Sequence, residues 1–130
     1  VGAFDLHADA GVDLVRARAK SGGGNEYLPR IPPVSALIGL DARSPRVDLR
    51  GEVEIAAAQN RVAEFELPTD GYTMVNAFVT LRPFVKAERV AMRFTAANLT
   101  NVEARNHVSH LKDVAPLPGR NFKVSLSGSF

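Results

Sequence analysis

The stretch Phe122-Lys123-Val124-Ser125-Leu126-Ser127-Gly128-Ser129-Phe130 decides the fold class, because it alternates between apolar and polar residues along its whole length. Alternation with a period of two puts the apolar residues on one face of a β-strand and the polar residues on the other. An amphipathic helix would instead need apolar residues three and four positions apart. The stretch therefore predicts a strand, and the strand ends on an aromatic residue.

Five earlier stretches show the same period and predict five more strands, at about 3–19, 34–43, 47–57, 72–82 and 90–97. Between 47 and 57, for example, the apolar residues Val53 and Ile55 alternate with Glu52 and Glu54. The alternation of the first stretch changes parity near Val15, which a β-bulge would explain. No stretch has a convincing helical period, so the sequence predicts an all-β fold.

The connections between these strands alternate in length. Those at 20–33, 59–71 and 99–120 are long, whereas those at 43–46 and 83–89 are short. In an antiparallel up-and-down sheet, successive connections fall at opposite ends, so all the long loops would share one end. Barrels of the outer-membrane type have this asymmetry, with short periplasmic turns and longer extracellular loops.

The two predicted faces differ in polarity, as expected of a sheet that has an apolar medium on one side and a polar medium on the other. One face mixes Ala, Gly, Val and Leu with occasional Phe, and the other carries charged residues and Ser. A barrel sector would turn the first face to lipid and the second to a lumen. We predict these polar residues to face the lumen: Asp5, His7, Asp9, Arg93 and Lys123. The alternatives are a soluble β-sandwich or lipocalin-like binding module, and a fragment of a passive porin-type barrel.

Composition narrows the function classes. The 16 basic and 14 acidic residues give a net charge of +2 and are dispersed, so no nucleic-acid partner is expected. The chain has no cysteine, which excludes disulfides and Cys metal sites. It begins with Val and predicts six strands, whereas outer-membrane barrels start at eight. We therefore expect a piece of a longer barrel that cannot close by itself.

Four longer motifs resemble a known family. They are LPRIPP (Leu28–Pro33), PTDGYTMVNA (Pro68–Ala77), AANLTNVEARNH (Ala96–His107) and LKDVAPLPGRNF (Leu111–Phe122). Over essentially the whole chain their order and spacing resemble the carboxy-terminal end of TonB-dependent outer-membrane receptors. The sequence from Glu103 onward looks most like the branch of this family associated with the uptake of zinc and other metals.

The resemblance implies a barrel of about 22 strands around an N-terminal plug. Residues 1–130 would be its last six strands, with the plug and the earlier strands outside this chain. It implies a bacterial outer-membrane receptor that takes up a scarce nutrient, such as zinc, iron, a siderophore or another metal chelate. TonB would supply energy through the missing N-terminal part, and the assembly machinery would read Phe130 as its signal. No cofactor of the protein itself is implied.

The longest connection carries the candidate metal ligands. His107 and His110 lie three residues apart, with Glu103 and Asp113 nearby, and imidazole and carboxylate are ligands of zinc and similar metals. The alternative is an exposed loop in which His107 makes only structural hydrogen bonds. Ser109 between the two histidines lacks the signs of a buried triad, so we predict no enzymatic activity.

Overall fold

The computed structural model of the protein describes residues 4–21, 24–83 and 90–128, and within these ranges every regular element is a β-strand. The strands are β1 (Asp5–Asp13), β2 (Arg18–Ser21), β3 (Gly24–Tyr27), β4 (Ser35–Arg43), β5 (Val47–Ala56), β6 (Tyr72–Leu81), β7 (Val90–Ala97) and β8 (Asn121–Gly128). No helix in the described ranges is long and apolar enough to cross a membrane.

Six of the strands form one antiparallel sheet in the order β1-β4-β5-β6-β7-β8. Strands β2 and β3 pair only with each other, in a small hairpin within the first long connection. Because the six neighbours run up and down, the connections 14–34, 57–71 and 98–120 share one end. The predicted antiparallel up-and-down sheet is thus confirmed. Within the described residues the edge strands β1 and β8 do not pair with each other, so the sheet is not closed by itself.

The register keeps the two kinds of side chain on separate faces. Ile38 pairs with Val53, which pairs in turn with Val75, so one row of apolar residues crosses three strands. In a row of the opposite parity, Asp41 pairs with Arg50. A shift of one residue in any strand would turn its apolar side chains to the polar face. The alternation read from the sequence therefore sets the register of the whole sheet.

The apolar face is largely exposed. The residues Leu6, Val124 and Leu126 are 75%, 63% and 71% exposed. The buried apolar residues of the described ranges are Ala56 and Met74, which lie on the opposite face, and Ala104, which lies in a loop. A β-sandwich would cover its apolar face with a second sheet about 10 Å away. The described part of the chain instead forms a single layer whose apolar side is bare.

Three local predictions differ from the structure. The first strand ends at Asp13 instead of near residue 19, and 14–17 leave the sheet where a bulge was predicted. The chain leaves there because Arg16 and Arg18 have taken over the apolar parity and would face the wrong side. The long connection then forms β2 and β3, which the sequence did not predict.

Several predicted features lie outside the described residues. They are part of the first long connection (22–23), most of the short connection at 83–89, and the terminal Phe130.

Candidate functional site: the polar face and the loop cluster

The register places all five of the predicted polar residues on one face of the sheet: Asp5, His7, Asp9, Arg93 and Lys123. Asp5 and Arg93 lie in a single row of paired residues that crosses the sheet, and His7 and Lys123 lie in the next row. Arg93 Nε donates to Thr80 Oγ1 across 3.5 Å. The structure therefore shows that these five residues share one face of the sheet. That this face lines a lumen stays a prediction.

Arg50 joins the acidic residues of the first three strands of the sheet. Its Nη1 donates to Asp9 Oδ1 over 2.7 Å and also to Asp41, and its Nε donates to Glu52 Oε1 over 2.6 Å. One guanidinium thus meets three carboxylates, which come from β1, β4 and β5. Such charge-assisted hydrogen bonds are about twice as strong as neutral ones. The network stabilises the alignment of the three strands and leaves this part of the face acidic.

At the other end, one carboxylate ties the long connections together. Glu66 Oε1 accepts hydrogen bonds from the backbone N–H of Arg30 (2.9 Å) and from Lys112 Nζ (2.8 Å). Its Oε2 accepts from the backbone N–H of Ala63 over 3.1 Å. Glu66 and Lys112 are both nearly buried, with 9% and 6% of their side chains exposed. We call the connections 28–34, 57–71 and 98–120 the loop cluster, because Glu66 links all three.

His107 is a second link within the loop cluster. Its Nδ1 lies 2.9 Å from Thr69 Oγ1, and its Nε2 lies 3.4 Å from Glu66 Oε1 without a hydrogen bond to any described residue. Burial lowers the pKa of His107 below its usual 6.5, and the charge of Lys112 lowers it further, whereas Glu66 and Asp113 oppose the shift. The ring is therefore neutral at pH 7.

The pKa of Glu66 moves in the direction that favours its charged form. Burial is the largest single influence and acts to raise the pKa, but it is outweighed by the hydrogen bonds from Lys112, Ala63 and Arg30. The result is a pKa of about 2 in place of the usual 4.5. The carboxylate thus stays ionised inside the loop cluster, where it holds Lys112 as a charged partner.

The NLTN motif that follows β7 has a structural explanation. Asn98 is buried and adopts the left-handed conformation with φ of 52°, which Asn tolerates better than most residues. Its Nδ2 donates to the carbonyls of Val102 (2.9 Å) and Pro118 (3.1 Å), and its Oδ1 accepts from the Val102 N–H. Asn101 is also left-handed, and its Oδ1 accepts from the backbone N–H of Arg120. The motif therefore closes the base of the longest loop.

The structure does not gather the four predicted metal ligands. His107 is buried against Thr69, whereas His110 is exposed and packs against the guanidinium of Arg30. Glu103 is held by Arg105 at 2.7 Å, and Asp113 is exposed. In the ranges that the structure describes, no group of three or more His, Asp or Glu side chains could hold a metal ion. Metal binding by these four residues stays a prediction.

Glu66 and Lys112 are two site residues that the sequence did not single out. Both lie in polar loops, where Glu and Lys are normally exposed, and 46 positions separate them. The one local hint is that Glu66 stands between the apolar residues Phe65 and Leu67. Phe65 is exposed and has a φ of 65°, so the hint does not mark a buried segment.

Known structures contain the same arrangement of strands. The chain is similar to the solved structure of a copper transporter, OprC, with a TM-score of 0.81 and 22% sequence identity over 96% of this chain. The likeness shows the fold. At this identity it shows nothing about substrate. The match spans 22% of the length of that protein's chain. No protein-family model matches the sequence, and no curated protein matches it.

The Arg50 network predicts opposite results at two glycines of adjacent strands. A Cβ at Gly39 would collide with the Arg50 guanidinium and lie 2.7 Å from Asp9 Oδ1, whereas a Cβ at Gly51 meets nothing within 4 Å. Gly39→Ala should displace the ion pair and cost about 1–2 kcal/mol of unfolding free energy. Gly51→Ala should be neutral or slightly stabilising, because alanine is less flexible in the unfolded chain. Urea unfolding of the full-length protein measures both, and equal midpoints would contradict the network's role.

The loop cluster should lose stability in two steps as the pH falls. His107 has a depressed pKa, so its step begins below about 6.5, where the unfolded chain takes up a proton that the folded chain does not. The contribution of Glu66 is complete above about 4.5 and is lost as the pH falls towards about 2. Hydrogen exchange at the backbone amides of Arg30 and Ala63, corrected for the intrinsic exchange rate at each pH, measures this loss of stability.

Glu66→Gln should abolish the lower step and leave the upper one, whereas Glu64→Gln should leave both, since Glu64 is an exposed neighbour in the same loop. An unchanged lower step in Glu66→Gln would show that another group titrates there.

Proposed function

We propose that residues 1–130 form the C-terminal sector of the β-barrel of a TonB-dependent outer-membrane receptor. The observation that carries this proposal is the bare apolar face of a single-layered sheet. Water against such a face is unfavourable in proportion to the apolar area, whereas the hydrocarbon of a bilayer is not. The opposite face carries the Arg50 network and would line a polar lumen around a plug.

The open edges support a sector of something larger. In hydrocarbon, each unpaired backbone N–H or C=O costs several kcal/mol, so β-structure spans membranes only as a closed barrel. Strands β1 and β8 each have one unpaired edge within the described residues. Further strands of the same protein would pair with both edges. The match to about a fifth of a longer transporter chain agrees with this proposal.

The arrangement of connections supports an orientation. Outer-membrane barrels keep short turns on the periplasmic side and long loops outside. The loop cluster would therefore be extracellular, and the turn at 44–46 periplasmic. The last strand would run from the outside towards the periplasm, where the outer-membrane assembly machinery would read Phe130. TonB would act through the N-terminal part of the receptor.

The substrate would be a scarce metal, taken up as an ion or as a chelate. Support comes from the motifs that resemble metal-uptake receptors. The similarity to a copper transporter is one of fold, and it sets only the order in which metals are tested. Copper is therefore the first substrate to test, ahead of zinc and iron. A passive porin-type barrel is the second candidate, and a plug in the full-length protein would argue against it.

A charge placed on either face of β8 tests the proposal directly. Leu126 lies on the apolar face and its neighbour Ser125 on the polar face. Leu126→Arg should cost about 2–4 kcal/mol if this face meets the bilayer midplane. Ser125→Arg should cost far less, because it adds a charge to a polar wall. The amount of folded full-length protein in the outer-membrane fraction measures the difference.

The result expected for a water-soluble protein differs. Leu126 is already 71% exposed, so in water its replacement by arginine would have little effect on folding. Equal recovery of both variants in a soluble fraction would therefore overturn the membrane assignment.

Two exposed residues among the predicted metal ligands, His110 and Asp113, provide the uptake test. His110→Ala combined with Asp113→Asn should lower copper uptake by cells that carry the full-length receptor, because these two side chains are accessible from solution. Ser109→Ala is the matched control in the same loop. His107→Ala is a poorer test, since His107 packs inside the loop cluster and its loss would disturb the fold. Unchanged uptake would remove the loop-ligand proposal and leave the barrel proposal standing.

A further inference from the structure

A cavity of about 410 Å³ at the long-loop end of β1, β4 and β5 has no role in the proposed transport. Its lining includes three arginines, Arg16, Arg18 and Arg61, together with Tyr27. No Asp or Glu is among the described residues that line it. The volume lies in the range of sites for small ligands, which is about 300–1,000 Å³. The charge of the lining predicts an anionic ligand.

The arginines are arranged to receive such a ligand. Arg18 lies over the ring of Tyr27, with 5.1 Å from its guanidinium carbon to the ring centroid. This cation–π contact holds one guanidinium in place. The side chains of Arg16 and Arg61 make no ion pair or hydrogen bond within the described part of the chain. A guanidinium offers a planar fork of donors that matches phosphate geometry.

The floor of the cavity continues the apolar face of the sheet. The N–H of Ala57 donates to the carbonyl of Val34 over 2.9 Å, which extends the β4–β5 ladder by one pair. This pair keeps the parity of Ile55 and Ala36, both on the apolar face. Leu14 also lines the cavity, two residues beyond Val12 of that face. The cavity therefore lies where the apolar face ends and the polar loops begin.

We propose that this arginine pocket (Arg16, Arg18, Arg61 and Tyr27) binds the phosphate of an anionic lipid headgroup in the outer leaflet. The acyl chains would lie on the apolar row that starts at Leu14 and Val34. The inference rests on the proposed function, because it needs the apolar face to be in a bilayer. A soluble phosphate ester shares the headgroup chemistry but has no apolar part to occupy that row.

The test uses the full-length protein in lipid nanodiscs that contain phosphatidylcholine with or without phosphatidylglycerol. Native mass spectrometry counts the phosphatidylglycerol molecules retained per protein. Arg16→Gln with Arg61→Gln should weaken retention about a hundredfold, since each of the two lost charged hydrogen bonds contributes a factor of about ten. Arg46→Gln with Arg120→Gln is the matched control, because it removes two exposed arginines outside the pocket. This control should keep the wild-type value. Arg16→Lys with Arg61→Lys should give an intermediate value, because lysine keeps the charge but lacks the planar fork of donors.

Each other outcome has a distinct meaning. Equal retention by the pocket and control variants would overturn the site. Competition by soluble glycerol phosphate at the same phosphate concentration would overturn the lipid as its source. Failure of the wild-type protein to enter discs of either composition would overturn the proposed function and this inference together. Normal insertion without selective phosphatidylglycerol retention would overturn this inference alone.

Discussion

The structure depends on one constraint, which is that no second layer of the described residues covers the apolar face of the six-stranded sheet. Strand alternation creates the face, and the register aligns it across all six strands. In a water-soluble domain, a face of this size would need a second layer to bury it. The side chains that are buried instead lie on the polar face or in the loops. The sheet therefore has the polarity of a wall between an apolar and a polar medium.

The same alternation explains why the polar face can hold so many charges. Arg50 stands on the opposite side from the apolar row, as do its carboxylate partners, which are Glu52 of the same strand, Asp41 of β4 and Asp9 of β1. The loop cluster is stabilised in a different way. Apart from the backbone pair of Ala57 and Val34, the described residues of its three connections have no backbone ladder between them, so Glu66 gathers donors from Arg30, Ala63 and Lys112. Sheet and loops are thus stabilised by two charge networks at different ends of the molecule.

The sequence was sufficient for the sheet because a period of two is a local signal, and each strand carries it independently. Val53 or Val124 can be assigned to a face without knowing its partner strand. The hairpin of β2 and β3 could not be predicted, because each strand has only four residues, which is too short for alternation to separate a new strand from the end of the first one. The pair of Glu66 and Lys112 was also out of reach, since its burial results from three loops meeting and from no property of either residue's neighbours.

The histidines show why spacing in a loop is a weak guide to a site. In a helix or strand, a separation of three fixes the relative direction of two side chains. Between His107 and His110 the backbone forms a series of turns, with Ser109 N–H donating to the carbonyl of Asn106. One ring is buried beside Glu66 and the other is exposed beside Arg30. A metal bound at this end of the molecule would therefore meet His110 first, and recruiting His107 would require the loop cluster to open and the Glu66–Lys112 pair to lose its cover.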